Sequence, residues 1–263
     1  MHSHLLIVDG LNVVRRVYEA NLAPDSQAKA EGAARSSLQS IRRALSEASP
    51  THAVVFFDAG GSTWRHALYG AYRQNRSPMP EVLREVLPSL RETLQATLNL
   101  QSRSYPGIEA DDAIAQLALQ WRNEFPESAV TVLSTDKDMA QLVAHGVRVR
   151  DHFIGVWRDE PWIEAKFGVP SALLGDLLAL MGDAADGVPG VRGVGAKTAA
   201  RWLNTYQSLE AVLAAAPTMT GKIGERLRDG CADALLSRAL VGFKTDSPLG
   251  LLWADLAMRP LRA

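Results

Sequence analysis

Three short apolar runs, each closing on an aspartate, constrain this chain more than anything else in it. Residues 4–9 read HLLIVD, residues 52–58 HAVVFFD and residues 129–136 AVTVLSTD, with Asp138 two places further on. Runs this short and this apolar predict strands buried on both faces, and 147–150 predicts a fourth. Segments with helical spacing separate them. One is 28–48, with Leu38, Ile41 and Leu45 on a stripe; another starts near 108, with Ala110, Ile114, Leu117, Ala118 and Trp121. Strands alternating with helices predict an α/β fold with a mostly parallel sheet. Ligands of such sheets lie beyond the carboxyl ends of the strands, where Asp9, Asp58 and Asp136 all stand. A single aspartate there is commonly a turn residue or a helix cap. Three at one edge point to a shared task.

The helix starting near 108 adds to that edge. YPGIEADD puts Glu109, Asp111 and Asp112 into its first turn, behind the turn pair Pro106-Gly107. One acid in a first turn merely complements the helix dipole. Three, two of them adjacent, repel one another, and a bound cation would relieve the repulsion. Hard divalent ions such as Mg²⁺ take carboxylate and water oxygens.

Bulk properties narrow the classes further. A length of 263 residues, 47% hydrophobic and 22% charged, suffices for a large core, as one long domain or a main domain with a smaller one. Cys231 is the only cysteine and the six histidines are scattered, which excludes a disulfide framework and a cysteine zinc site. No apolar run is long enough for a membrane span. Residues 5–14 are interrupted by Asp9 and Asn12 and follow no basic stretch, unlike a signal peptide. A soluble cytoplasmic protein is expected. The net charge of −1 does not advertise nucleic-acid binding.

Residues 60–104 form a long insertion at the active edge, a kind of segment that is usually functional. Its first half, WRHALYGAYRQNR, interleaves Arg65, Arg73 and Arg76 with Trp64, Tyr69 and Tyr72 and holds no acid. That mixture suits phosphates and stacked bases, or equally a solvated loop. Residues 81–98, behind Pro80, predict a helix. Residues 155–167 predict a small hairpin and a helix, and 171–181 another helix. The latter leads into GDAADGVPGVRGVGAKTAARWL, residues 182–203. Here Asp183 and Asp186 precede glycines at 187, 190, 193 and 195, and Arg192, Lys197 and Arg201 meet no acid between 187 and 209. A glycine-rich turn entering a helix offers backbone N–H groups to a phosphate. The spacing from Gly190 to Gly195 imitates a P-loop, but Ala196 stands where its lysine is required and no strand precedes it, which excludes a nucleotide site. Residues 208–242 predict helices of mixed charge.

VDGLN, FFDAGGSTWRH, YPGIEADD, STDKD and GDAADGVPGVRGVGAKTA occur in this order over roughly residues 5–248. Together they resemble the bacterial 5′ nucleases, which include the 5′ nuclease domain of DNA polymerase I and the stand-alone flap endonucleases. HLLIVDGLNVVRRV, PMPE and RVRDHF look most like the stand-alone Xni (exonuclease IX) branch. The resemblance implies a PIN-like 5′ nuclease core with a helical arch over the active edge and a helix-3-turn-helix region that holds duplex DNA. Residues 1–170 would be the catalytic core, with the arch at about 60–104; residues 171–263 would be the DNA-binding region and C-terminal helices, with no attached polymerase. Also implied are up to two Mg²⁺ or Mn²⁺ ions held by Asp9, Asp58, Glu109, Asp111, Asp112, Asp136, Asp138, Asp183 and Asp186. K⁺ would rest on the backbone carbonyls of Leu180, Met181, Pro189, Val191 and Val194. Arg73, Arg76 and Arg65 would clamp the phosphate. Tyr72, Arg192, Gly193, Val194, Gly195, Ala196, Lys197 and Thr198 would contact DNA. Where the family reads Tyr-Lys-x-x-Arg in the arch, this chain has Tyr72-Arg73-x-x-Arg76, a planar fork in place of a compact ammonium.

The implied activity is divalent-metal hydrolysis of phosphodiester bonds in branched or 5′-ended DNA, as a flap endonuclease or 5′-3′ exonuclease of replication and repair. The implied enzyme is a monomer with no small-molecule cofactor and no membrane partner. Setting the nine acids aside moves the charge of the remainder from −1 to +8, so the low net charge would hide a basic surface. Two other readings compete: a degenerate nuclease that binds DNA structures without cutting them, and a PIN-type ribonuclease, which would need neither the arch nor the 182–203 module.

Overall fold

The computed structural model describes residues 3–258. One sheet carries six strands: β1 (His4–Asp9), β2 (His52–Phe56), β3 (Gln101–Arg103), β4 (Ala129–Leu133), β5 (Arg148–Asp151) and β6 (Val156–Trp157). Their order is β3-β2-β1-β4-β5-β6, parallel throughout except for the β5–β6 pair. β1 is flanked by β2 and β4, with Val8 opposite Val55 on one side and Leu133 on the other. This register brings the carboxyl ends of the three aspartate-tipped strands level.

Among the described residues, twelve α-helices accompany the sheet: α1 (Gly10–Ala20), α2 (Gln27–Ala48), α3 (Trp64–Leu68), α4 (Glu81–Leu98), α5 (Ala110–Glu124), α6 (Glu160–Phe167), α7 (Leu174–Met181), α8 (Ala196–Tyr206), α9 (Leu209–Ala215), α10 (Gly221–Asp229), α11 (Cys231–Val241) and α12 (Trp253–Leu256). Side chains alternate across a strand, so β1 feeds two cores. Leu6 and Val8 join Val13, Ile41, Leu45, Leu83 and Leu94 beneath α1, α2 and α4. Leu5 and Ile7 join Phe56, Ile114, Leu117 and Trp121 beneath α5. Each such fully buried aliphatic side chain contributes roughly 1.5–3 kcal/mol. A third core, with Leu177, Leu203, Leu227 and Leu240, holds α7 to α11 together. Among the described residues, no helix is long and apolar enough to cross a membrane.

The expected elements form, with three differences. β3 has the sequence QSR, half-buried at the sheet edge, and its ladder to Val54–Phe56 is a backbone matter that its side chains do not announce. Residues 69–79, between α3 and α4, do not stand away from the body. The buried stripe Leu83, Val86, Leu90, Leu94 and Leu98 fixes α4 among the helices of its core, and Tyr72 is itself buried, so the arch segment closes down on the active edge. Finally, the chain after α11 returns to the sheet. Leu249 O accepts from Tyr105 Oη at 2.7 Å, Trp253 packs edge-on to Trp121, and Ala257 bridges to His52. The end of the expected 171–263 unit therefore packs on the expected 1–170 unit.

Candidate metal centre and phosphate site

A polar cleft of about 300 Å³ opens at the carboxyl edge of the sheet, and Asp9, Asp58, Asp111 and Asp136 line it. Each is delivered by a different connection. Asp9 ends β1; its Oδ1 accepts from Asn12 N at 3.1 Å and its Oδ2 from Ser134 Oγ at 2.9 Å. Asp58 follows β2, and its Oδ1 accepts from Ala110 N at 2.8 Å, which caps α5 from another part of the chain. Asp111 stands in the first turn of α5. Asp136 follows β4 and accepts from Asp138 N at 2.9 Å.

The electrostatics of this group are unbalanced. Burial, and then repulsion from Asp58 and Asp136, push Asp9 up to about 7, against the hydrogen bonds from Asn12 and Ser134. Burial and then the charges of Asp136, Asp9 and Asp58 hold Asp111 well above the usual carboxylate range. Four carboxylates thus converge in one cleft with no ion pair of their own among the described residues, and two of them, Asp9 and Asp111, resist ionisation. Their hard oxygens suit a divalent cation of the Mg²⁺ or Mn²⁺ type. Among the described residues, no three acid, histidine or cysteine side chains are already closed on a single point.

The other five expected ligands are placed differently. Asp112 is fully buried and faces away from the cleft. Its carboxylate takes a bidentate pair from Arg65, both bonds 2.9 Å, with further bonds from Trp64 Nε1 and Lys244 N. Arg65 also donates to Leu240 O and Gly242 O. These two residues are corrected from ligand and phosphate clamp to a buried structural pair, because every polar atom they carry is already met inside the protein. Glu109 is likewise held, by Thr63 Oγ1, Tyr72 Oη, Arg73 and Arg65. Tyr72, expected against DNA, is 4% exposed and committed to Glu109.

Asp183 and Asp186 lie in a loop that two glycines make possible. Gly182 and Gly190 have φ of +70° and +60°, and a Cβ on Gly182 would come within 2.6 Å of Val188 O. Asp183 and Val188 then pair backbone to backbone. At Gly187 (φ +69°) a Cβ would lie 2.8 Å from Ala71 O, so this loop touches the arch segment. There Arg73 N donates to Asp186 O at 2.9 Å, and the Arg73 guanidinium bridges Asp186 (3.0 Å) and Glu109 (2.8 Å). Arg76 stands 3.6 Å from Asp186. Lys137 is ion-paired with Asp183 and lies 3.8 Å from Asp138. Burial, then Asp136, push Asp138 up to about 7, and its buried Oδ1 has no hydrogen-bond partner.

Arg73 and Arg76 line the cleft with the four aspartates, as the sequence led us to expect; so do Asn12, Arg15 and Arg16 of α1, which it did not. The signal for the latter was the RR pair one helical turn beyond Asn12, masked by the apolar residues around it. Asn12 Oδ1 accepts from both N and Oγ1 of Thr135 at 2.9 Å, tying α1 to the end of β4.

The second expected site is the turn into α8. Gly195 precedes the helix without a side-chain cap, and Arg192, Gly193, Gly195, Ala196 and Lys197 are exposed. Thr198 is half-buried. Val194 differs: its side chain is buried and its N–H donates to Val191 O. Arg226 of α10 lies against Gly193, and Lys222 shares its helix face, adding two cations that carry no motif. Of the carbonyls expected around K⁺, Leu180 O accepts from Val191 N and Val191 O from Val194 N, which leaves each a second lone pair.

Comparison with known proteins matches this architecture. Residues 4–168 match the family described as the N-terminal resolvase-like domain of 5′-3′ exonuclease, and residues 169–263 match its C-terminal SAM fold. The flap endonuclease Xni of Shewanella amazonensis is 37% identical over 98% of this chain and 99% of its own. The same-named protein of Vibrio cholerae is 34% identical over 97% of each. Among solved structures, a zinc-bound T5 5′-exonuclease superposes with a TM-score of 0.76 at 22% identity, covering 90% of this chain and 89% of that one. The Rad2 catalytic core in complex with DNA reaches 0.57 at 14% identity, over 93% and 81%. The two solved structures support the fold: a mostly parallel sheet with a helical C-terminal region.

Proposed function

The chain belongs to the 5′-3′ exonuclease family, and we propose that it is a flap endonuclease and 5′-3′ exonuclease that cuts phosphodiester bonds in branched or 5′-ended DNA during replication and repair. The observation that carries the reading is the cleft in which Asp9, Asp58, Asp111 and Asp136 meet with no ion pair of their own among the described residues while arginines stand on its rim.

Those four carboxylates would hold a divalent ion, Mg²⁺ or Mn²⁺, with the second-group acids Asp138, Asp183 and Asp186 nearby. The ion, when bound, lowers the pKa of a coordinated water and stabilises charge on the phosphoryl oxygens. The chain supplies the rest. Arg73, Arg76 and Arg16 on the rim orient the scissile phosphate, the planar guanidinium suiting two oxygens at once. Asn12 and Ser134 hold Asp9 and the Thr135 turn in place. The open first turn of α8, with Arg192, Lys197, Arg201, Lys222 and Arg226, grips the duplex backbone and reads no sequence. K⁺ would sit on the carbonyls of Leu180, Met181, Pro189, Val191 and Val194. Residues 1–170 and 171–263 would correspond to the catalytic and DNA-binding parts of one monomer.

Incubation with a labelled 5′-flap duplex, with Mg²⁺ and with EDTA, tests the proposal. Cleavage near the branch in Mg²⁺ alone is expected. Binding without cleavage at any divalent ion concentration would favour the non-catalytic alternative, and preferential cutting of single-stranded RNA would favour the ribonuclease one.

A further inference from the structure

The acids beyond the cleft already have cations, and these come from the chain itself. Lys137 is paired with Asp183 and stands 3.8 Å from Asp138. Arg73 reaches Asp186 with both its side chain and its backbone N–H, and Arg76 approaches the same carboxylate from the other oxygen. Three carboxylates therefore face three internal cations, whereas among the described residues the four in the cleft have no comparable partner. Asp138 is the exception within the group: its buried Oδ1 makes no hydrogen bond. Arg73 holds its position at φ +53°, a conformation that a non-glycine residue keeps only where surroundings enforce it.

We propose that Lys137 and Arg73 act as built-in counter-ions that keep a second divalent ion out of the Asp138–Asp183–Asp186 group while DNA is absent, so that the free protein holds one ion. The inference rests on the metal reading of the cleft above. A second ion must displace the Lys137 ammonium from Asp183 and the Arg73 fork from Asp186, or else bind beside them against like charge. Either route lowers its affinity relative to that of the cleft. The same geometry says what would admit it. Arg73 and Arg76 also line the cleft, and a phosphodiester entering there offers both guanidiniums a better anion than a shared carboxylate. Once they move, the Asp186 carboxylate is released from its internal partners. Coupling of this kind is reciprocal, the phosphate favouring the ion as much as the ion favours the phosphate.

The test is Mn²⁺ binding by the DNA-free protein, followed by electron paramagnetic resonance of the free ion. Wild type should bind one ion tightly and any second one far more weakly. Lys137→Gln should tighten the second binding on the order of tenfold, within the usual range of coupling between sites. Lys137→Arg, which keeps the charge, should behave as wild type. Arg73→Gln should move the second binding in the same direction as Lys137→Gln. Lys137 is about one-third exposed, so its variants should fold, and melting curves check this. Two equally tight ions in wild type, or an unchanged second affinity in both Gln variants, would overturn the proposal. If wild type binds no ion, or Asp111→Asn leaves the tight one intact, the metal reading of the cleft fails instead.

Discussion

Asp111 and Asp112 are neighbours in sequence with opposite surroundings, and exchanging each for asparagine should separate them cleanly. Asp112→Asn leaves the shape almost unchanged but removes the charge that faces Arg65. Arg65 is 3% exposed and stays buried, now without its bidentate partner. Removing one member of a buried pair costs about 3–5 kcal/mol, because the remaining charge is uncompensated. The upper part of that range applies here. Trp64 Nε1 and the Lys244 amide also converge on the same carboxylate, which joins α3, α5 and the segment after α11. At about 2–4 °C per kcal/mol for a chain of this size, the melting temperature should fall by roughly 10 °C or more. Asp111→Asn should do the reverse in EDTA, since it relieves a carboxylate that burial and three like charges disfavour. Thermal unfolding by circular dichroism reads both, and Mn²⁺ titration of the folded variants reads the ion. Replacing Arg65 and Asp112 together by apolar residues should recover much of the loss. If Asp112→Asn melts like wild type but no longer binds the ion, then Asp112 is a ligand and the structural assignment is wrong.

Three further outcomes follow from the site. Asp111→Asn should abolish cleavage of a 5′-flap duplex while leaving its gel-shift affinity near wild type, because the phosphate grip lies in the arch segment and the α8 turn; near-normal cutting would remove Asp111 from the metal centre. In EDTA, stability should fall as pH rises from about 4 to about 7 and level off above that. Asp9 and Asp138 titrate at about 7 in the fold against 3.8 unfolded, so the stability they contribute is complete below about 4 and lost as pH passes 7. Mg²⁺ should flatten this slope, and a flat melting curve in EDTA would contradict the burial argument. Lys197→Ala should weaken binding to all duplex sequences alike and reduce the slope of log K against log salt by about 0.9; an unchanged slope would take Lys197 out of the backbone grip.

How much of this was legible in the sequence differs by element. The strands of a covered parallel sheet are apolar on both faces, so β1, β2 and β4 announce themselves, and so does the edge where their aspartates stand. β3 does not, because an edge strand of three half-buried polar residues joins the sheet through its backbone ladder and carries no apolar pattern. The acids were visible as acids, but their fates were not. Successive residues on a helix point about 100° apart, so Asp111 reaches the cleft and Asp112 the interior. What decides this is Arg65, 47 positions earlier, within a basic and aromatic run that by composition looks made for DNA. Arg65 and Tyr72 proved to be buried and Trp64 half-buried against Asp112 for that reason, and Arg73 and Arg76 alone of that set reach the cleft. Conversely, Arg15, Arg16, Lys222 and Arg226 acquire their positions from helix packing, which no local motif encodes.

The distribution of charge has a consequence for how such a chain meets DNA. Treating all nine acids as a metal site leaves the remainder at +8. Four of them, however, are matched by Arg65, Arg73, Arg76 and Lys137, which therefore contribute little to an outward field. Setting aside the five others moves the −1 chain to +4, half the earlier figure. Long-range attraction should be correspondingly modest, since exposed charges beyond about 10 Å are screened at 0.1 M salt. Binding then depends on local contacts: the turn into α8 with Arg192, Lys197 and Arg226 for the duplex, and the cleft for the phosphate to be cut. A phosphate that reaches the cleft meets arginines already engaged with Asp186 and Glu109, and recruiting them breaks those pairs. Part of the interaction energy thus goes into opening the site rather than into affinity. That selects for a substrate whose duplex and scissile phosphate can be held together, and against a strand that offers only one of them.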